Sequence, residues 1–199
     1  ADTGMDALAH AIEAYTSPNA SIVSDMFASF AIRNVAKSLR PAYAKGGFNL
    51  KDRYNLSIAA STAMLAMSFT GPGIAHLMNE TLGEMAGLSH GRATGLLLPW
   101  VMEANLMTAP ARFRDIAQFM GENTEGLSDL EAGELAVEAV HRLLSDLGMP
   151  QTLSEVGVGE EQIPELAREL VETRGPVMKM AACRELSLAE ATELYERIL

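Results

Sequence analysis

The chain has 199 residues, 48% of them hydrophobic and 21% charged, which is enough for one domain with a substantial core and too apolar for a disordered chain. Fifteen Lys+Arg against 26 Asp+Glu leave a formal charge of −11. That field repels phosphate backbones and anionic lipid, so nucleic acid and membrane surfaces are poor partners, and neither is expected.

The sequence opens Ala1-Asp2-Thr3, without an initiator Met, and enters a helical pattern at once. This suggests a piece of a longer protein cut at an interdomain boundary. Ala, Leu, Met and Glu abound and β-branched alternation is nearly absent, so the expected fold class is all-α, a single helical bundle over residues 1–199. Thr3 to Tyr15 carries Met5, Leu8, Ile12 and Tyr15 on one face. Ser21 to Leu39 reads as a longer helix stopped by Pro41 and Gly46-Gly47. Asp52 can cap Tyr54 to Phe69, which is apolar almost all round and therefore expected at the centre. Gly71-Pro72-Gly73 breaks the chain, and Ile74 to Ala86 forms a short helix. Gly87 to Gly91 is expected as a loop, with helix resuming from Arg92 to Met107. Ala111 to Met120 follows Pro110, and Ser128 to Leu147 is amphipathic. Gly159 to Thr173 and Ser187 to Ile198 complete the set, the last opened by a Ser187/Glu190 capping box.

No stretch reaches the roughly 20 apolar residues of a membrane span. The lone cysteine, Cys183, cannot pair within the chain and fits a reducing compartment, so the expected location is the cytoplasm. Gly71-Pro72-Gly73 lacks a third glycine and follows a helix, so it is no dinucleotide fingerprint.

Four histidines carry most of the chemical signal. Asp6 and His10 are four apart, on one helical face, where a carboxylate and an imidazole can reach one divalent ion. A surface helix-stabilising pair is the alternative. His76 follows the glycine-rich turn, Glu80 lies one turn further on the same face, and His90 sits beside Gly91. A helix, a loop and another helix can bring these imidazoles together. One carboxylate with three imidazoles suits Fe²⁺, Zn²⁺, Co²⁺ or Ni²⁺ and suits Ca²⁺ or Mg²⁺ badly. His141, near Arg142, is expected at the surface, and Cys183 as structural.

The run Asp2-Thr3-Gly4-Met5-Asp6-Ala7-Leu8-Ala9-His10-Ala11-Ile12-Glu13-Ala14-Tyr15 resembles the opening of the helical domain of iron-containing (group III) alcohol dehydrogenases. Gly73-Ile74-Ala75-His76, Gly87-Leu88-Ser89-His90-Gly91, Leu98-Pro99-Trp100-Val101-Met102 with Asn105, and Arg184-Glu185-Leu186-Ser187 with Tyr195 extend the likeness. It implies the C-terminal domain of the dehydroquinate synthase-like fold, with Asp6, His10, His76 and His90 as metal ligands. It also implies Fe²⁺ or Zn²⁺ as the ion, and an NAD(P)-binding α/β domain N-terminal to this one and absent from this chain. Phe69 would line the substrate pocket. The parent would move hydride between a small alcohol and NAD(P)⁺ to give an aldehyde or ketone, would be a homo-oligomer, and would lose turnover if reduced to this domain. Members often carry a further histidine where this chain has Glu80, which makes Glu80 the candidate catalytic residue, as a proton acceptor, with a fifth metal ligand or no role as the alternatives. A metal-optional reductase or non-redox lyase on the same fold is a second reading. A helical interaction module without chemistry is a third, and it predicts His10, His76 and His90 far apart.

Overall fold

The computed structural model describes residues 1–199 as helices joined by short turns, with no strand. Helix α1 (Asp2–Thr16) buries Met5, Leu8, Ile12 and Tyr15, the face that its spacing predicts. Helix α2 (Ile22–Lys45) starts at a capping box in which Ser21 Oγ accepts from Ser24 N and Ser24 Oγ accepts from Ser21 N. It does not stop at Pro41. Pro41 forfeits one backbone N–H, but Leu39 and Ala42 are buried on either side of it and hold the turn against the core as far as Lys45.

Helix α3 (Leu50–Thr70) begins a turn earlier than expected, because Asn49 rather than Asp52 caps it; Asn49 Oδ1 accepts from Asp52 N at 3.3 Å. Nor is α3 central. Its packed side is made of small residues, Ala59, Ala63 and Ala66, with Met67 and Thr70 at the end. The alanines let the helix lie close to α1 and α2 without large side chains. Its bulk, Leu50, Tyr54, Met64, Leu65 and Phe69, is exposed on the other side.

The chain bends by 109° through Gly71-Pro72-Gly73 into α4 (Ile74–Ala86). Helix α5 (His90–Asn105) starts at His90 itself, where a loop was expected. The Ser89 carbonyl accepts from Arg92 N at 3.0 Å and Ala93 N at 3.1 Å, which folds His90 and Gly91 into the first turn. Helices α6 (Pro110–Met120) and α7 (Asp129–Asp146) follow, the latter capped by Ser128.

The helix expected over Gly159–Thr173 is divided. A 3₁₀ turn leads into α8 (Ile163–Arg168), where Pro164 sets the first turn, and Glu169–Thr173 widens into a π-helical turn. Helix α9 (Gly175–Ala181) buries only Met178 and Ala181, too little periodicity to show in the sequence. Helix α10 (Leu188–Ile198) opens on the expected Ser187/Glu190 box.

Two bodies of core result. Leu8, Ile12, Ile32, Phe113 and Val140 join α1, α2, α6 and α7, with α3 laid against them. Met78, Leu166 and Tyr195 join α4, α8 and α10. Helix α5 serves both, giving Leu98 and Met102 to the first and Leu96 and Leu97 to the second. The seam where α1, α4 and α5 meet is where the four candidate ligands lie. No single helix is long and apolar enough to cross a membrane.

Candidate metal centre

Asp6 and His10 project from α1, His76 from the first turn of α4, and His90 is the first residue of α5. The start of α5 rests directly on α1. A Cβ at Gly91 would overlap the Asp2 carbonyl and stand 3.0 Å from Asp6 Cβ, so only glycine permits this approach. Polar ties hold it there. Ser89 Oγ donates to Asp2 Oδ2 at 2.5 Å, and Arg92 Nη2 donates to Asp2 Oδ1 at 3.2 Å. His90 is thereby fixed over Asp6.

Asp6 Oδ1 is the focus of the cluster. It is buried and has no hydrogen-bond partner. Three imidazole nitrogens surround it: His90 Nε2 at 3.4 Å, His76 Nε2 at 3.7 Å and His10 Nδ1 at 3.7 Å. These are long for hydrogen bonds. The two Nε2 distances, from His90 and His76, are close to the edges of about 3.4 Å of a tetrahedron with metal–donor bonds of about 2.1 Å. One donor atom each from Asp6, His76 and His90 lies within 4.8 Å of the others. His10 stands beside this trio, its ring edge-on to His76 with centroids 4.3 Å apart. Its Nδ1 donates to the Asp6 carbonyl at 2.7 Å, which leaves Nε2 with the lone pair. An orphaned carboxylate oxygen among imidazoles is the donor chemistry that a divalent transition metal requires, so the residues fit such an ion.

Behind His76 lies a residue the sequence reading missed. Glu13 is buried, and its carboxylate accepts from Gly73 N at 3.1 Å, Ala75 N at 2.6 Å and His76 Nδ1 at 2.5 Å. With the Nδ1 proton held by Glu13, Nε2 is the nitrogen that faces Asp6 and that a metal would use on displacing any proton there. The glycine-rich turn now has a reason: a Cβ at Gly73 would come within 2.5–2.9 Å of the Glu13 side chain. The available signal was a lone carboxylate in the apolar run Ala11-Ile12-Glu13-Ala14-Tyr15, three residues after His10. Burial disfavours the protonated His76 ring, but the Glu13 charge, the hydrogen bond to Glu13 and the nearby Asp6 carboxylate outweigh it and push the ring up to about 9. For Asp6, partial burial acts upward and is overcome by His76, His10 and His90, which hold the carboxyl below the usual range. Burial and the neighbouring His76 depress His10.

A second missed residue touches His90. Asn79, 2% exposed, donates from Nδ2 to His90 Nδ1 at 2.8 Å and to Thr94 Oγ1 at 2.8 Å. The His90 side chain is 56% exposed, so this is its open side of the cluster.

The remaining sequence candidates lie elsewhere. Glu80 pairs with Arg174 Nη1 at 2.6 Å, and no hydrogen bond or ion pair joins it to the imidazoles. Both line a charged cleft of about 570 Å³ with Glu84, Arg168 and Glu169. Phe69 is 57% exposed at the end of α3, its ring stacked on Phe27 at 6.5 Å. His141 is half-buried rather than at the surface. Gln151 Oε1 is 2.9 Å from its Nδ1, and Trp100 packs edge-on against its ring.

Known proteins share the sequence and the fold. The C-terminal family of Fe-containing alcohol dehydrogenases matches residues 1–199. A 1,3-propanediol dehydrogenase from Citrobacter freundii is 47% identical over 167 residues, covering 84% of this chain and 43% of that protein. A lactaldehyde reductase from Escherichia coli (strain K12) is 38% identical over 196 residues, covering 98% of this chain and 50% of that protein. The crystal structure of a 1,3-propanediol oxidoreductase superposes with a TM-score of 0.95 at 39% identity, over 100% of this chain and 51% of that one. The chain thus spans about half the length of the relatives it matches.

Proposed function

The chain belongs to the Fe-containing alcohol dehydrogenase family, as its C-terminal helical domain, and on that premise we propose that it is the metal- and substrate-holding half of an NAD(P)-dependent dehydrogenase of small alcohols. One observation carries the reading: a buried, unpartnered Asp6 oxygen with imidazole nitrogens at 3.4–3.7 Å. A module with incidental histidines predicts them scattered, and they are gathered.

Asp6, His76 and His90 would hold the ion, with His10 the fourth donor through Nε2. When bound, the ion supplies Lewis acidity toward an alcohol oxygen, with Fe²⁺ the proposed ion and Zn²⁺ its substitute. The nucleotide, carried by an α/β domain outside this chain, supplies the hydride acceptor. The work of the chain itself is orientation. Glu13 keeps the His76 proton on Nδ1, and the Asp6 carbonyl does the same for His10. His90, the exposed member, faces the side from which a substrate enters. We place Phe69 on the apolar wall of that entrance. Glu80 would take up the substrate proton at the cleft, on release from Arg174.

The test is alcohol-dependent reduction of NAD(P)⁺ by the longer protein to which we assign this chain. Chelation should abolish the activity, and Fe²⁺ or Zn²⁺ should restore it. Normal turnover after chelation would favour the metal-optional reductase instead. In the same assay, Glu80→Gln should lower turnover by about 100-fold, as loss of a general base does. Its zinc affinity should stay within about twofold of the parent's, since Glu80 makes no contact with the cluster. Undiminished turnover would remove Glu80 from the mechanism.

A further inference from the structure

We propose that Asn79 is a positioning residue that sets which nitrogen of His90 carries the proton, and that its amide turns over when the cluster takes up a metal. The proposal rests on the metal reading above.

Asn79 is buried between α4 and α5, three residues after His76. Its Nδ2 spends both protons, one on His90 Nδ1 and one on Thr94 Oγ1, each at 2.8 Å. A ring that accepts at Nδ1 must carry its proton on Nε2. That nitrogen is the one that faces the cluster, 3.4 Å from Asp6 Oδ1. In this tautomer His90 has no lone pair to offer an ion at Nε2. To offer one, the Nε2 proton must leave for solvent and another must arrive on Nδ1, with no net change in charge. The new Nδ1–H then needs an acceptor. The group already in contact with it is the Asn79 amide, and a half-turn of that amide presents Oδ1 instead of Nδ2.

Thr94 makes the exchange tolerable. Its hydroxyl now accepts from Nδ2 while donating to the His90 carbonyl at 2.9 Å. With Oδ1 facing it, the same hydroxyl can donate to Oδ1. Its contact with the amide therefore survives in both orientations, which matters for a threonine that is fully buried. The other end of the amide lies in space left by Gly83, where a Cβ would stand 2.8 Å from Asn79 Oδ1. An amide is the side chain that can serve as donor in one state and acceptor in the other. A leucine of similar volume can do neither, and an aspartate can only accept.

The experiment uses the 199-residue chain, with zinc as the probe. Zinc affinity is measured by chelator competition for the parent, Asn79→Leu and Asn79→Asp, and long-range ¹H–¹⁵N spectra report the His90 tautomer. Asn79→Leu is expected to bind about 10–100-fold more weakly, the usual effect of losing a residue that orients a metal-bound histidine. Asn79→Asp should bind within about threefold of the parent or more tightly, because its carboxylate holds the Nδ1 proton permanently. The parent His90 should carry its proton on Nε2 without zinc and on Nδ1 with it. Unchanged affinity in Asn79→Leu, equal losses in both variants, or a His90 proton that stays on Nε2 in the zinc form would each overturn the proposal. If Asn79→Leu does not fold, the aspartate variant and the spectra decide. A parent chain that takes up no zinc overturns this proposal and the metal reading together, whereas the variant outcomes strike this one alone.

Discussion

Glu13→Ala is expected to cost the chain about 3 kcal/mol of stability and to weaken zinc binding about 10–100-fold. The Glu13 carboxylate ties α1 to the start of α4, receiving two backbone N–H groups as well as the His76 ring. Removing it leaves buried donors without partners, which is the costly side of a hydrogen bond. Urea denaturation measures the first effect and chelator competition the second. The loss should also carry a pH signature. His76 is raised from its ordinary value to about 9 in the folded chain. A raised group contributes stability that is fully present below its unfolded value, about pH 6.5, and is lost as pH rises through the folded one. The zinc-free parent should therefore weaken between about pH 6.5 and 9, and Glu13→Ala should flatten that slope. A variant as stable as the parent, with the same pH profile, would show that Glu13 does not hold His76.

Asp6→Ala should give the opposite pattern. Structural zinc sites with four ligands bind with about 10–16 kcal/mol, so loss of one ligand removes roughly 3 kcal/mol, or more than about 100-fold in affinity. Zinc-free stability should change by about 1 kcal/mol or less, because Asp6 Oδ1 makes no hydrogen bond that the fold would miss. Calorimetric titration with zinc and a thermal melt without it separate the two quantities. A large stability loss with unchanged affinity would make Asp6 a structural residue.

These two residues also mark what could be read from the sequence. The pairing of Asp6 with His10 follows from helical spacing, and the glycines flanking His76 and His90 signal turns that bring distant segments together. Their convergence at the seam of α1, α4 and α5 was therefore legible. Glu13 and Asn79 were not. Each is a single polar residue in an apolar stretch, and nothing local says whether such a residue faces solvent, a neighbouring helix or a ring. The same limit explains α3. Its composition is apolar all round, but helix packing depends on which side is small enough for close approach, and the alanines at 59, 63 and 66 decided that. Pro41 misled because proline penalises a helix locally, while Leu39 and Ala42 anchor it through tertiary contacts. The placement of Glu80 against Arg174 depends on the irregular turn after α8, which carries no pattern visible in the sequence.

The most direct measurement is an anomalous difference map at the zinc edge from crystals of this chain grown with zinc. The account predicts one strong peak about 2.0–2.2 Å from an Asp6 carboxylate oxygen and from Nε2 of His10, His76 and His90. A strong peak only at another site, such as His141, or no peak at saturating zinc would contradict it.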